Sequence, residues 1–206
     1  MTTFSEAYVA ETHRLLSALD LSDVERLAAG LARTREEGGR LFILGVGGSA
    51  GHAGHAVNDF RKLCGFEAYA PTDNVSELTA RVNDEGWDTT FSEWLLGSRI
   101  SARDALLIFS VGGGSTERNV SPNLVRAIEV ARGRHARIFG IVGRDGGATR
   151  ERADACVLIP PLFGDRVPPH TEGLCAVIWH LLVSHPRLRR AGTELEPAVP
   201  GRALHQ

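Results

Sequence analysis

Lysine is nearly missing from this chain: of 23 basic residues, only Lys62 is one. A phosphate loop of the GxxxxGK[ST] type is therefore absent. Schiff-base catalysis would have to rest on Lys62, which sits beside Arg61 on the expected outer side of a helix, so acid–base chemistry is the better expectation. Cysteine is scarce too. Cys64, Cys156 and Cys175 are scattered, odd in number and not at metal-ligand spacing; they read as reduced thiols of a cytoplasmic protein, packed as small hydrophobes. No apolar stretch reaches the roughly 20 residues that span a bilayer, so no membrane partner is expected. The opening Met1-Thr2-Thr3-Phe4-Ser5-Glu6 lacks a basic region followed by an apolar one, and no secretory signal is expected. Excess charge is also lacking: a formal net charge of -2 gives no general pull toward nucleic acid.

What the chain has instead is glycine at two telling places. Gly45-Val46-Gly47-Gly48-Ser49 follows the apolar run Leu41–Leu44, and Ser110-Val111-Gly112-Gly113-Gly114-Ser115 follows Ala105–Phe109. Short apolar runs read as buried strands, and a helical pattern succeeds each turn. A strand that opens through glycines into a helix presents backbone N–H groups and hydroxyls to an anion, usually a phosphate. Ser110, Ser115 and Thr116 supply the hydroxyls of the second turn. Two such turns at corresponding strand ends make a phosphorylated small molecule the leading ligand class. The first turn also resembles the opening of a dinucleotide fingerprint, but Ala50 stands at its sixth position and no acidic residue closes a second strand about 20 residues on. A third turn, Gly143–Gly147, has no hydroxyl before Thr149 and reads as structural.

Length and composition, 206 residues with 43% hydrophobic, suit one domain with a full core. Helical spacing marks 4–18 and 22–36, with Asp20 or Ser22 as N-cap of the second. This hairpin must dock on its own sheet or on another subunit. Beyond it strands and helices alternate: strands at 40–45, 67–70, 104–110, 137–142 and 156–159, helices at 49–64, 74–83, 88–98, 121–134, 148–153 and 169–184. Such alternation predicts a three-layer α/β/α sandwich with a mainly parallel five-stranded sheet, whose ligands sit beyond the carboxyl ends of the strands. Residues 1–186 form the expected single domain, with the hairpin at 1–37. The Pro-, Arg- and Gly-rich stretch 187–206 is expected to be extended or disordered.

Candidate chemical groups fall on two helices. His52, His55 and Asp59 lie at i, i+3 and i+7 after the first turn and share one face. Glu172 and His180 are eight residues apart on the last helix, about 80° around it, in an otherwise apolar stretch. That context puts His180 in or near the buried face, as a core histidine or as an acid/base.

Together, Gly47-Gly48-Ser49 with His55 and Asp59, then Val82-Asn83-Asp84, Ser110–Ser115, Gly143–Gly147, and a final helix with Glu172 and His180, resemble a sugar isomerase (SIS) domain with a flavodoxin-like sheet. Within that family the chain is most similar to bacterial phosphoheptose isomerases, which interconvert sedoheptulose 7-phosphate and heptose 7-phosphate. The resemblance implies that Gly47, Gly48, Ser49, Ser110, Gly112, Ser115 and Thr116 hold the phosphate or sugar hydroxyls, with Asp84 near the sugar. It implies that His180 and Asp59, or Glu172 as base, transfer protons. It further implies a zinc site of His55, Asp59, Glu172 and His180, and a homotetramer with sites at subunit contacts. Against the family pattern, Val46 stands for Asn, Asp59 for Glu and Glu172 for Gln, the second turn has two hydroxyls fewer, and Thr116–Pro122 is additional. A non-catalytic module that senses a sugar phosphate or binds a protein, and an isomerase of another ketose phosphate, are the other readings.

Overall fold

The computed structural model describes residues 2–193. Two helices open it: α1 (Phe4–Ser17), whose Thr3 and Glu6 form a capping box, and α2 (Leu21–Glu36), capped by the Asp20 side chain on the Ser22 N–H. The strands are β1 (Leu41–Leu44), β2 (Ala68–Tyr69), β3 (Ala105–Ser110), β4 (Arg137–Val142) and β5 (Ala155–Leu158). Between and after them run α3 (Gly48–Cys64), α4 (Val75–Glu85), α5 (Thr90–Gly97), α6 (Pro122–Gly133), α7 (Gly147–Arg152) and α8 (Val167–Ser184).

All five strands are parallel, in the order β2-β1-β3-β4-β5. A parallel sheet is covered on both faces, so its strands read as continuous apolar runs. In β1, Leu41 and Ile43 join one core with α2, α3 and α8, while Phe42 and Leu44 join a second with α5 and α6. The strand order reverses between β1 and β3, and the crevice beyond their carboxyl ends is where such sheets bind ligands. Because Leu44 pairs with Ile108, the two glycine turns that follow these strands emerge side by side.

The N-terminal hairpin divides its work. Helix α2 buries Val24, Leu27, Ala28, Leu31 and Ala32 against the chain's own sheet and α8. In α1 only Leu15 is buried; Phe4 and Val9 are exposed. A polar knot ties α1 to the start of α8: Arg166 donates to Glu11 at 2.8 and 2.6 Å, His170 Nε2 is 2.9 Å from Glu11, and the His170 ring stacks on Tyr8.

After α8 the chain differs from the extended or disordered tail expected from 187 onward. Leu188 is fully buried, Arg190 N donates to the Leu63 carbonyl at 2.9 Å, and Arg35 donates to the carbonyls of Arg187 and Leu188. One apolar side chain and one buried-side guanidinium fold the stretch 187–193 back onto the domain despite its composition. Residues 194–206 of the expected tail lie outside the described residues. Among the described residues no helix is long and apolar enough to cross a membrane.

Candidate active site

Helices α3 and α8 pack together, and their polar groups converge. Ligand atoms of His55, Asp59 and His180 all lie within 4.8 Å of one another. His55 and Asp59 meet because i, i+4 neighbours share a helix face. Asp59 is 1% exposed, and its Oδ1 accepts from the Asn58 side chain at 2.9 Å. Its Oδ2 is buried without a hydrogen-bond partner, 3.7 Å from His55 Nε2 and 3.9 Å from His180 Nε2. Those separations exceed hydrogen-bond length. A buried carboxylate oxygen left unpaired beside two imidazole nitrogens is a costly arrangement unless a cation or a shared proton completes it.

The imidazoles are held in place from behind. His180 Nδ1–H donates to the Ala176 carbonyl at 2.8 Å, which leaves Nε2 facing Asp59. Trp179, fully buried, stacks on the His180 ring with centroids 3.5 Å apart and meets the His55 ring edge-on at 4.7 Å. Trp179 rather than His180 thus occupies the apolar face of α8. His180 itself is 43% exposed, at the margin of that face rather than in it. His52 is not part of the cluster, although it shares the periodicity.

A second feature, a cleft of about 340 Å³, opens at the crevice between β1 and β3. Val46 and Ser49 line it from the first glycine turn, Ser110, Gly112 and Ser115 from the second, and Glu172 from α8. The second turn is braced by the third. Ala148 N donates to the Gly114 carbonyl, and Thr149 donates to the Gly113 carbonyl through both its N and Oγ1, at 3.0 and 2.7 Å. Gly113 has φ +69°, and a Cβ there would stand 1.8 Å from the Gly146 carbonyl oxygen. The expected structural role of the third turn is therefore carried by backbone interlocking.

Glu172 does not join the metal-type cluster implied for it; that cluster comprises His55, Asp59 and His180. Its carboxylate instead lies against Gly48 at the start of α3, 2.9 Å from where a Cβ would sit. Asp84 is exposed on α4, hydrogen-bonded to Asn83 and outside the cleft lining. Thr116 is exposed and outside it as well, as are Gly47 and Gly48. Two charged residues without an expected role also line the cleft: Arg118 and Arg144. Both stand in glycine-flanked loops whose left-handed bends carry no periodic signal; their charge next to the seryl turn was the available clue.

The cysteines are structural. Burial pushes the Cys64 thiol up to about 11 and Cys156 up to about 12, and raises Cys175 as well, which leaves all three protonated and unreactive at neutral pH.

Comparison with known proteins gives the family and agrees with the fold. Residues 7–143 match the profile of the SIS domain family. A phosphoheptose isomerase of Trichlorobacter lovleyi is 35% identical over 164 residues, covering 77% of this chain and 78% of the relative. The lincomycin biosynthesis protein LmbN of Streptomyces lincolnensis is 33% identical over 188 residues, covering 80% of this chain and 66% of that longer protein. Among solved structures, the phosphoheptose isomerase GmhA from Neisseria gonorrhoeae has the same fold, with a TM-score of 0.75 at 24% identity over 86% of this chain and 94% of its own. The chain belongs to the SIS domain family and is an isomerase similar to the bacterial phosphoheptose isomerases.

Proposed function

We propose that the protein interconverts the ketose sedoheptulose 7-phosphate and the corresponding aldose, heptose 7-phosphate, by enediol chemistry. One observation carries the reading: the cleft and the imidazole–carboxylate cluster are strung along the same helix. Glu172 in the cleft and His180 in the cluster are eight residues apart on α8, about 12 Å along its axis. A phosphate held at Ser110 and Ser115, with help from Ser49, leaves a long sugar chain to run along α8 and bring C1 and C2 to His180. A three- or four-carbon substrate anchored by the same phosphate falls short of the cluster.

At the cluster, His180 and Asp59 form the proton-transfer pair. Asp59 Oδ2 is 3.9 Å from His180 Nε2 and is itself buried, so Asp59 acts through His180 rather than on a substrate carbon. His180 Nε2 takes the proton next to the carbonyl; the enediol is then reprotonated at the neighbouring carbon. Glu172, two turns away, hydrogen-bonds a sugar hydroxyl. The orphaned Asp59 Oδ2 and two imidazoles also fit a zinc site, which would be held by His55, Asp59 and His180. Since Nδ1 of His180 is bonded to Ala176, zinc would take the same Nε2, so proton abstraction by His180 belongs to the zinc-free cluster. When bound there, zinc supplies Lewis acidity toward the substrate oxygens. The exposed apolar residues of α1 support assembly into a homotetramer.

The test is a chain-length series followed by NMR: dihydroxyacetone phosphate, ribulose 5-phosphate, fructose 6-phosphate and sedoheptulose 7-phosphate. The expected result is kcat/KM rising with length to a maximum at seven carbons. Binding of these phosphates without turnover of any supports the sensor module instead.

A further inference from the structure

We propose that Arg118 is a phosphate-binding residue of this isomerase, one that gives up an internal carboxylate, Asp145, for the phosphate of the substrate. The proposal rests on the phosphosugar reading above and adds the residue that supplies the charge.

The seryl turn alone is a modest anion site. It offers two hydroxyls and no charge; Ser110 Oγ accepts from Gly113 N at 3.0 Å and Ser115 Oγ from Arg118 N at 3.2 Å, which leaves each O–H free to donate. Glu172 places a carboxylate in the same cleft. The other ionisable groups in the lining are Arg118 and Arg144. Two cations face one carboxylate, and without Arg118 the lining would carry no net charge. A doubly charged phosphate beside Glu172 needs that excess.

Arg118 is positioned for the exchange. Ser115 and Val120 pair through reciprocal backbone bonds of 2.9 and 3.0 Å, so residues 115–120 form a closed turn with Arg118 near its tip. The guanidinium Nε lies 3.4 Å from the Oγ of Ser115, a residue of the cleft lining. Nη2 lies 3.1 Å from Asp145 Oδ2, and both side chains of this pair are more than half exposed. An ion pair so exposed to water is weak and readily exchanged. A phosphate gives the guanidinium fork two oxygens in place of one carboxylate contact, the geometry at which arginine binds most strongly.

Steady-state kinetics with sedoheptulose 7-phosphate and inhibition by inorganic phosphate test the assignment in three variants. Arg118→Ala should raise KM and the phosphate inhibition constant about ten- to hundredfold while kcat stays within about threefold. Arg118→Lys should fall between, because an ammonium keeps the charge but not the fork. Asp145→Asn frees the guanidinium, so its KM should equal or undercut the wild-type value. If Asp145→Asn raises KM as much as Arg118→Ala does, Arg118 only braces the loop and the proposal is overturned. An Arg118→Ala variant with KM unchanged overturns it too. If the wild type turns over none of the sugar phosphates, the isomerase reading fails, and melting curves with and without inorganic phosphate still decide this point. Stabilisation of the wild type but not of Arg118→Ala supports the assignment; equal stabilisation overturns it.

Discussion

The imidazole–carboxylate cluster and the glycine-turn cleft are assembled by opposite means. The cluster is made of side chains from two regular helices, α3 and α8, pressed together by an apolar interface in which Trp179 is fully buried. The cleft is built on backbone: turns after β1, β3 and β4, of which the last two hydrogen-bond to each other and leave no room for a Cβ at Gly113 or Gly147. The first arrangement fixes where a proton can go. The second fixes where an anion can rest, since N–H groups in tight turns point at bound anions. Damage should differ accordingly: substitutions in the cluster should cost rate with little loss of fold, and those in the turns should cost fold and binding together.

The largest effect expected is at the cluster. His180→Asn should lower kcat by about 10²–10⁴ while leaving KM for the sugar phosphate nearly unchanged, measured by steady-state turnover. An unchanged kcat would remove His180 from the chemistry and with it the contrast drawn above. Gly113→Ala probes the other side of the comparison. A Cβ forced against the Gly146 carbonyl at positive φ should destabilise by about 1–3 kcal/mol and lower the melting temperature by several degrees. It should also weaken phosphate binding.

A smaller effect is expected where neither region is touched directly. Arg166 and then His170 hold the Glu11 carboxyl down to about 2, from an ordinary value of 4.5. A carboxyl whose pKa is lower in the folded state stabilises the fold above its ordinary value, and that stabilisation disappears as the pH falls toward 2. Glu11→Gln should therefore melt a few degrees below wild type at pH 7, and the gap should narrow steadily below about pH 4.5 in thermal melts across pH. A gap independent of pH would show that packing of α1, not the charge on Glu11, holds the knot.

The same contrast explains what could be read from the residues alone. The buried strands and the His55–Asp59 pair follow from short apolar runs and from helical periodicity, signals that survive without tertiary information. The placement of His180 was harder, since Trp179 beside it competes for the buried face and wins on apolar area. Arg118 and Arg144 were invisible as ligands to the cleft because their loops turn through left-handed residues, Asn119, Ser121 and Arg144 among them. No period describes such a path. Leu188 was hidden for a different reason: a single apolar residue among Pro and Arg is too sparse to announce that it is buried, and the carbonyl contacts from Arg35 come from 153 positions away. Glu172 shows the limit of resemblance, since its position on α8 aligns with a ligand role while its carboxylate turns toward Gly48.

Proton abstraction at the cluster is the central claim, and the direct measurement is the isomerisation of sedoheptulose 7-phosphate in D2O followed by proton NMR. His180 is 43% exposed, so a proton it removes can exchange with solvent before return. The account predicts heptose 7-phosphate carrying deuterium on the carbon next to the carbonyl, at a rate that falls with kcat in His180→Asn. Product formed by His180→Asn at the wild-type rate would contradict it.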